Sequence, residues 1–187
     1  MNPIFGGTHP ATGEPFVFYD YVLGGIGGRA ARDGVDAMSP VFSVENVPIE
    51  IQEAQYPILV ERFELMPDSA GAGRSRGGLS LRKDIRMLAE GIVLTNLTDR
   101  QRFAPYGIAG GADGMLGETI LNPGERQVTI GSKDTAVLSE GDVVSFRCSG
   151  SGGFGPASER PRDAVARDVA EGLITPQAAE QIYGWKP

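Results

Sequence analysis

Glycine arrives in clusters along this chain, and the clusters bound what it can fold into. Gly24-Gly25-Ile26-Gly27-Gly28, the stretch from Gly71 to Gly78, and Gly150-Ser151-Gly152-Gly153-Phe154-Gly155 each hold four glycines. Twenty-seven of the 187 residues are glycine, about twice the roughly 7% of an average protein, with no collagen-like period. Lacking a Cβ, glycine permits tight turns and close backbone approach. The clusters therefore predict many turns and a loop-rich β architecture, with no helix through Gly24–Gly28.

Between the clusters the residues read as short strands. Phe16 to Leu23 is an aromatic and β-branched run, and Leu59–Leu65 alternates in part before the Pro67-Asp68 turn signal. Leu79–Leu88 and Gly91–Leu97 look like neighbouring strands joined through Ala89-Glu90-Gly91, and shorter strands are expected at Gly117–Leu121, Gln127–Ile130 and Asp142–Cys148. Ile49 to Tyr56 fits a strand or a short helix, and residues 29–47 read as loop. Ala164–Glu171 and Pro176–Ile182 have helical spacing, the first with Pro161 near its start and Gly172 at its end. The expectation is a mainly β (α+β) fold: one Gly-rich, multi-stranded β domain over residues 1–187. It divides into an irregular arm at 1–15, a β-rich core at 16–150 and a short helical C-terminal segment at 160–187.

The formal net charge of −7 disfavours a surface that tracks nucleic-acid phosphates. One cysteine, Cys148, forbids an internal disulfide and fits a reducing compartment. No apolar run approaches the roughly 20 residues that cross a bilayer, and Met1–Gly7 has no signal-peptide character. By elimination, a cytoplasmic protein is expected.

Few residues offer chemistry. Gly150–Gly155 matches GxGxxG after a strand, but Pro156 follows at once, and a pyrophosphate site needs a helix opening there; a tight structural loop is the favoured reading. Gly71–Gly78 lacks the Gly-Lys-Ser/Thr ending of a phosphate loop. Its two guanidinium groups, Arg74 and Arg76, are able to hold a carboxylate bidentately, or to pair with local acids such as Asp68 or Asp84. An Asp68-to-arginine bridge is the expected loop anchor, making Asp68, Arg74 and Arg76 candidates for partner or substrate-carboxylate contact. Glu50 and Glu53 are weaker candidates of the same kind. Gly24, Gly25, Gly27, Gly77, Gly78, Gly152, Gly153 and Gly155 are expected to serve as structural loops. The lone His9 and lone Cys148 do not form a metal-ligand set, and no GxSxG elbow exists. No metal site and no self-sufficient catalytic group is expected in this chain.

Taken in order, the motifs resemble one family, the hydantoinase B/oxoprolinase proteins. Tyr19–Arg29 followed by Arg32-Asp33-Gly34-Val35-Asp36 is similar to that family's GGxGAR…DG segment, and Val47–Glu53 with Tyr56-Pro57 to its N-x-P-x-E-x-x-E…P segment. Pro67–Leu79 is similar to DSGGAGRFRGGLG. Gly152-Gly153-Phe154-Gly155-Pro156 with Arg160, Val165, Asp168 and Gly172, then Tyr183-Gly184, is similar to the later GGxGxP…R…V…D…G pattern. Gly28, Ala70 and Ser80 depart from it by small-for-small exchanges. Proteins of this kind also carry a long N-terminal part with the His and Asp residues of a metal site, which these 187 residues do not include.

The resemblance implies a component of an ATP-dependent, multisubunit amidohydrolase of the hydantoinase/5-oxoprolinase type, completing its B-type subunit and inactive by itself. ATP and a divalent metal are then expected in the assembled complex and not on this chain. The implied partners are a hydantoinase A-like ATP-binding subunit and the N-terminal half of a B-type subunit, in a hetero-oligomer acting on a small cyclic amide. The alternatives are a component of an ATP-dependent ketone carboxylase, or a non-catalytic binding or regulatory β module. Contact with the partners is expected through Phe16, Phe18, Tyr21, Tyr56 and Phe63.

Overall fold

The computed structural model describes residues 1–38 and 45–186. Nine strands, β1 (Ile4–Thr8), β2 (Pro15–Tyr19), β3 (Ile58–Met66), β4 (Ser80–Met87), β5 (Ile92–Leu97), β6 (Glu118–Leu121), β7 (Val128–Thr129), β8 (Lys133–Leu138) and β9 (Val143–Arg147), are accompanied by three short helices. The helices are α1 (Ile49–Gln55), α2 (Arg162–Ala170) and α3 (Pro176–Tyr183). The strands form two antiparallel sheets, ordered β2-β1-β5-β8 and β3-β4-β9-β6-β7. The fold is mainly β, as the patterning predicts, with two of the three helices at the C-terminus.

The two sheets bury one shared core. Phe5 and Phe18 from the first stack at 5.7 Å, and Phe5 meets Phe146 of the second edge-on at 6.0 Å. Ile85, Met87, Ile92, Leu94, Leu138 and Val144 fill the space around them. The period-2 alternation of β4 shows why: Leu81, Ile85 and Met87 point inward, while Arg82 and Arg86 point out and remain partly exposed.

Two sequence expectations change, one strand goes unread, and one open alternative is decided. Residues 1–15 are not an irregular arm: β1 pairs with β2 in a hairpin and with β5, which puts it inside its sheet. β1 is only five residues long, and its two glycines mask the pattern. β4 and β5 are not neighbours. The end of β4 stays clamped on both sides, Met87 N–H donating to Asp142 O (2.8 Å) and Leu88 N–H to Pro57 O (2.9 Å), so the chain crosses to the other layer through Gly91. β8, unread in the sequence because it opens on Lys133-Asp134, alternates Ala136 and Leu138 inward against Thr135 and Val137 outward. Ile49–Gln55 resolves as a helix.

The tail follows its caps. Thr175 Oγ1 accepts from Ala178 N–H (3.1 Å) with Pro176 next, and Gly184 closes α3 at φ 61°. Val165, Ile174 and Ala179 form a second small core with Tyr183 and Trp185 against it. Of the loop expected at 29–47, residues 39–44 lie outside the described residues.

Candidate functional site

The glycine segments do not join the sheets. They lie against one another as extended chains held by main-chain bonds. Gly71 N–H donates to Ser151 O (2.8 Å), Gly28 N–H to Gly152 O (2.9 Å), Gly78 N–H to Ile26 O (2.8 Å) and Ser151 N–H to Gly78 O (3.0 Å). Ser75 and Phe154 exchange both bonds at 3.0 and 2.9 Å, and Gly153 N–H reaches Ala112 O (2.9 Å). The chains approach too closely for side chains. A Cβ on Gly25 would stand 2.5 Å from the Gly78 carbonyl carbon, and one on Gly77 would overlap the Ser151 carbonyl. Absence of a side chain, more than freedom of φ, is what this junction demands of its glycines.

One charged cluster locks the junction to the helical tail. Arg160, its side chain 1% exposed, grips Asp33 with both guanidinium nitrogens (2.7 and 2.8 Å) and Asp168 Oδ2 with Nη2 (2.6 Å). Arg76 donates to Asp36 Oδ1 (3.0 Å) and Gly77 O (2.7 Å), its Nε 3.7 Å from Asp168 Oδ2. Asp33 Oδ1 also accepts from Arg76 N–H (2.7 Å), and Asp36 Oδ1 from Leu79 N–H (2.7 Å). Segments distant in sequence, around residues 33–36, 76–79 and 160–168, are thereby fixed to one another. Burial raises the pKa of the Tyr183 phenol, with Arg160, Arg76 and the Gly73 backbone opposing.

The two central carboxylates are shifted in opposite directions. Burial pushes Asp33 up, but the hydrogen bonds and charges of Arg160 and Arg76 outweigh it, so its pKa lies below the usual carboxylate range. At Asp168 burial prevails over the attraction of Arg160 and Arg76, and its pKa is raised. A lowered carboxyl stabilises the fold above its unfolded value, about 3.9, and that stabilisation is lost as pH falls through the folded value; for a raised carboxyl the sign reverses. Asp33→Asn is accordingly expected to flatten the fall of the thermal midpoint below about pH 4. An unchanged slope would show that Asp33 is not the group responsible.

Each candidate residue has a definite place. Arg76 is buried and committed to the cluster. Arg74 is half-exposed, 3.3 Å from Glu159 and from Ala30 O, with its guanidinium over the Phe154 ring. Asp68 bridges neither arginine: its Oδ1 accepts from Thr175 N–H (2.8 Å), while Asp84 pairs with Arg82 (2.6 Å) and Arg62 (3.5 Å). The expected Asp68 anchor is thus corrected to Asp33, Asp36 and Asp168. Glu50 is exposed on α1, and Glu53 Oε1 accepts from Val60 N–H (2.7 Å) beside the bulge of β3; neither enters the arginine cluster. It is Gln52 between them that turns inward, joining Asp20 on the buried Lys83 ammonium (2.9 and 2.7 Å).

Sequence reasoning missed Asp33, Asp36, Arg160 and Asp168 as a unit. Their signal was the shared motif pattern alone, since nothing in local spacing joins residue 33 to residue 160. The expected aromatic contact surface is also corrected. Phe18 is buried and stacked on Tyr56 at 4.7 Å, and Phe16, Tyr21 and Tyr56 pack against the core; Phe63 alone stays 40% exposed.

Neither glycine loop fits a nucleotide phosphate. Such cradles use free backbone N–H groups. Here Gly71, Arg74, Ser75, Arg76, Gly77 and Gly78 all donate within the protein, as do Gly150, Ser151, Gly153, Phe154 and Gly155. Arg74, Arg32 and Asp33 border a concavity of about 270 Å3 beside Arg160, below the usual range for ligand pockets. Among the described residues no group of three His, Cys, Asp or Glu is placed to hold a metal ion, and no helix is long and apolar enough to cross a membrane. Burial pushes the Cys148 thiol up to about 11, which leaves it un-ionised near neutrality.

Comparison with known proteins places these features. Residues 1–157 match the family described as hydantoinase B/oxoprolinase. An uncharacterised protein of Methanocaldococcus jannaschii is 36% identical over 172 residues, covering 91% of this chain and 30% of that protein. The caprolactamase subunit beta of Pseudomonas jessenii is 30% identical, covering 87% of this chain and 29% of its own length. The crystal structure of the ATP-dependent caprolactamase from the same organism superposes with a TM-score of 0.83 at 24% identity, over 98% of this chain and 33% of that one. The chain thus spans about three tenths of the length of these relatives.

Proposed function

The chain belongs to the hydantoinase B/oxoprolinase family, and on that premise we propose that it is a single structural domain completing the B-type subunit of an ATP-dependent amidohydrolase. One observation carries the reading. The segments that bear the family's motifs are consumed in binding each other, through main-chain bonds and the Arg160–Asp33–Asp168 and Arg76–Asp36 pairs. They form a scaffold in which most N–H groups of the 71–78 and 150–155 segments are already spent on other parts of the chain. ATP and a divalent metal belong, on this reading, to other parts of the assembly: an A-like ATP-binding subunit and the N-terminal portion of a B-type subunit. The substrate class is a small cyclic amide, and the single cysteine suits assembly in the cytoplasm.

The purified chain alone is expected to show no ATP-dependent turnover of cyclic amides. Addition of the A-like subunit and the N-terminal B-type portion should restore phosphate release coupled to ring opening. The same assay supplied with bicarbonate and a ketone reads the carboxylase alternative. Turnover by the chain alone, after rigorous removal of partners, would overturn the reading. A native purification that yields neither partner would favour the non-catalytic β module.

A further inference from the structure

The two sheets turn different chemistry outward. Across β3-β4-β9-β6 the outward register runs Glu64, Arg82, Arg147, Glu118; in the next row Arg62 is exposed and pairs with Asp84, which is buried with Ser145 and Ile120. Neighbouring opposite charges pair along it, as solvated sheet faces do. Across β2-β1-β5-β8 the corresponding rows are Val17, Gly6, Val93, Val137 and Tyr19, Ile4, Thr95, Thr135. Neither row contains a charge. Val137 is 73% exposed, Val17 70% and Tyr19 57%. Lys133, opposite Leu97, stands only at the margin of this face. In a chain of net charge −7, an uncharged and β-branched face across four strands marks a surface that is covered in the working protein.

We propose that the outward face of the β2-β1-β5-β8 sheet docks the remaining, larger portion of a B-type subunit, through an uncharged aliphatic and aromatic surface on that partner. The inference rests on the reading above. Area argues for this occupant over a second copy. Four strands about 4.8 Å apart, five or six residues long at about 3.3 Å each, present roughly 350 Å2. A stable free-standing complex needs about 800 Å2 from each side. A homodimer through this face alone falls short, whereas a partner that also engages other parts of this chain does not. The relatives have such a partner built in, since this unit makes up only 29–30% of their length.

Maleimide labelling tests the proposal, because Cys148 is buried and its thiol un-ionised. Val17→Cys and Val137→Cys report on the docking face, and Glu64→Cys on the charged face as control, each with circular dichroism to confirm folding. The probes are the isolated chain and the complex purified from its own cells through a tag on this chain, with its polypeptides identified by mass spectrometry. Expected is labelling of both valine positions about tenfold slower in the complex, as at a water-excluding interface. Glu64→Cys should label equally in both, and a photo-crosslinker at position 137 should join the B-type polypeptide. Valine positions labelled at the isolated rate in a complex that contains that polypeptide would overturn the docking face and leave the functional reading standing. Crosslinks to a second copy of this chain would overturn it in favour of a homodimer. Absence of any B-type polypeptide from the purified material would overturn the reading, and the docking proposal with it.

Discussion

Arg160→Ala is expected to lower the stability of the chain by about 3–5 kcal/mol, the range for breaking a buried ion pair from one side. The side chain is 1% exposed and grips two carboxylates at 2.6 to 2.8 Å. Burial acts to lower the Arg160 pKa, and Asp33 and Asp168 more than reverse it, so its charge is kept at every accessible pH. Without it, Asp168 stays buried with only Arg76 Nε at 3.7 Å. The loss should appear first in the tail, because Arg160 ties α2 to the 33–36 segment. Trp185, the only tryptophan, packs against the small core of Val165, Ile174 and Ala179, and its emission reports tail release. Urea unfolding followed by Trp185 fluorescence and by far-ultraviolet circular dichroism checks this. A loss under about 1 kcal/mol would place the cluster among weak surface pairs. Arg160→Lys should fall between, since an ammonium cannot reproduce the two-nitrogen grip on Asp33.

Gly77→Ala is expected to be damaging too, at or above the roughly 1–3 kcal/mol usual for overpacking. The added methyl would overlap the Ser151 carbonyl, and Gly152 O lies 2.9 Å away. Both obstacles are backbone, fixed by Ser151 N–H to Gly78 O and Gly28 N–H to Gly152 O, so neither can rotate aside. Gly25→Ala meets the Gly78 backbone at 2.5–2.7 Å and should behave alike. Gly6→Ala is the control: its nearest neighbour would be Phe16 O at 3.8 Å, an ordinary contact. Soluble yield and thermal midpoint of the three variants separate the cases. Equal behaviour of Gly77→Ala and Gly6→Ala would show that the junction relaxes, contrary to the geometry.

Much of the fold was legible because its signals are local. The partly alternating run of β3, the Thr175-Pro176 start and Gly184 stop of α3, and the Pro161 and Gly172 bounds of α2 each depend on residues within a few positions. The glycine clusters likewise announced close backbone approach. The family motifs led to the right family, because Gly25, Gly77, Gly78 and Gly152 stand where two backbones meet and no other residue fits.

What the sequence by itself determined, then, is a mainly β chain with close-packed glycine segments and a capped helical tail. Tertiary structure alone decided which segments meet. Strand pairing is non-local, so adjacency of β4 and β5 in sequence carried no information about sheet membership, and β1 found its neighbours 7 to 91 residues away. The partners of Arg76 were decided the same way. Asp68 and Asp84 are nearest in sequence, yet Asp36 and Asp168 hold it, because a buried guanidinium pairs with whichever carboxylates the packed loops bring within about 4 Å. The outward valine face is the third such decision: alternation shows that Val17, Val93 and Val137 share a side of their strands, and only the register of four strands lines them up in one row.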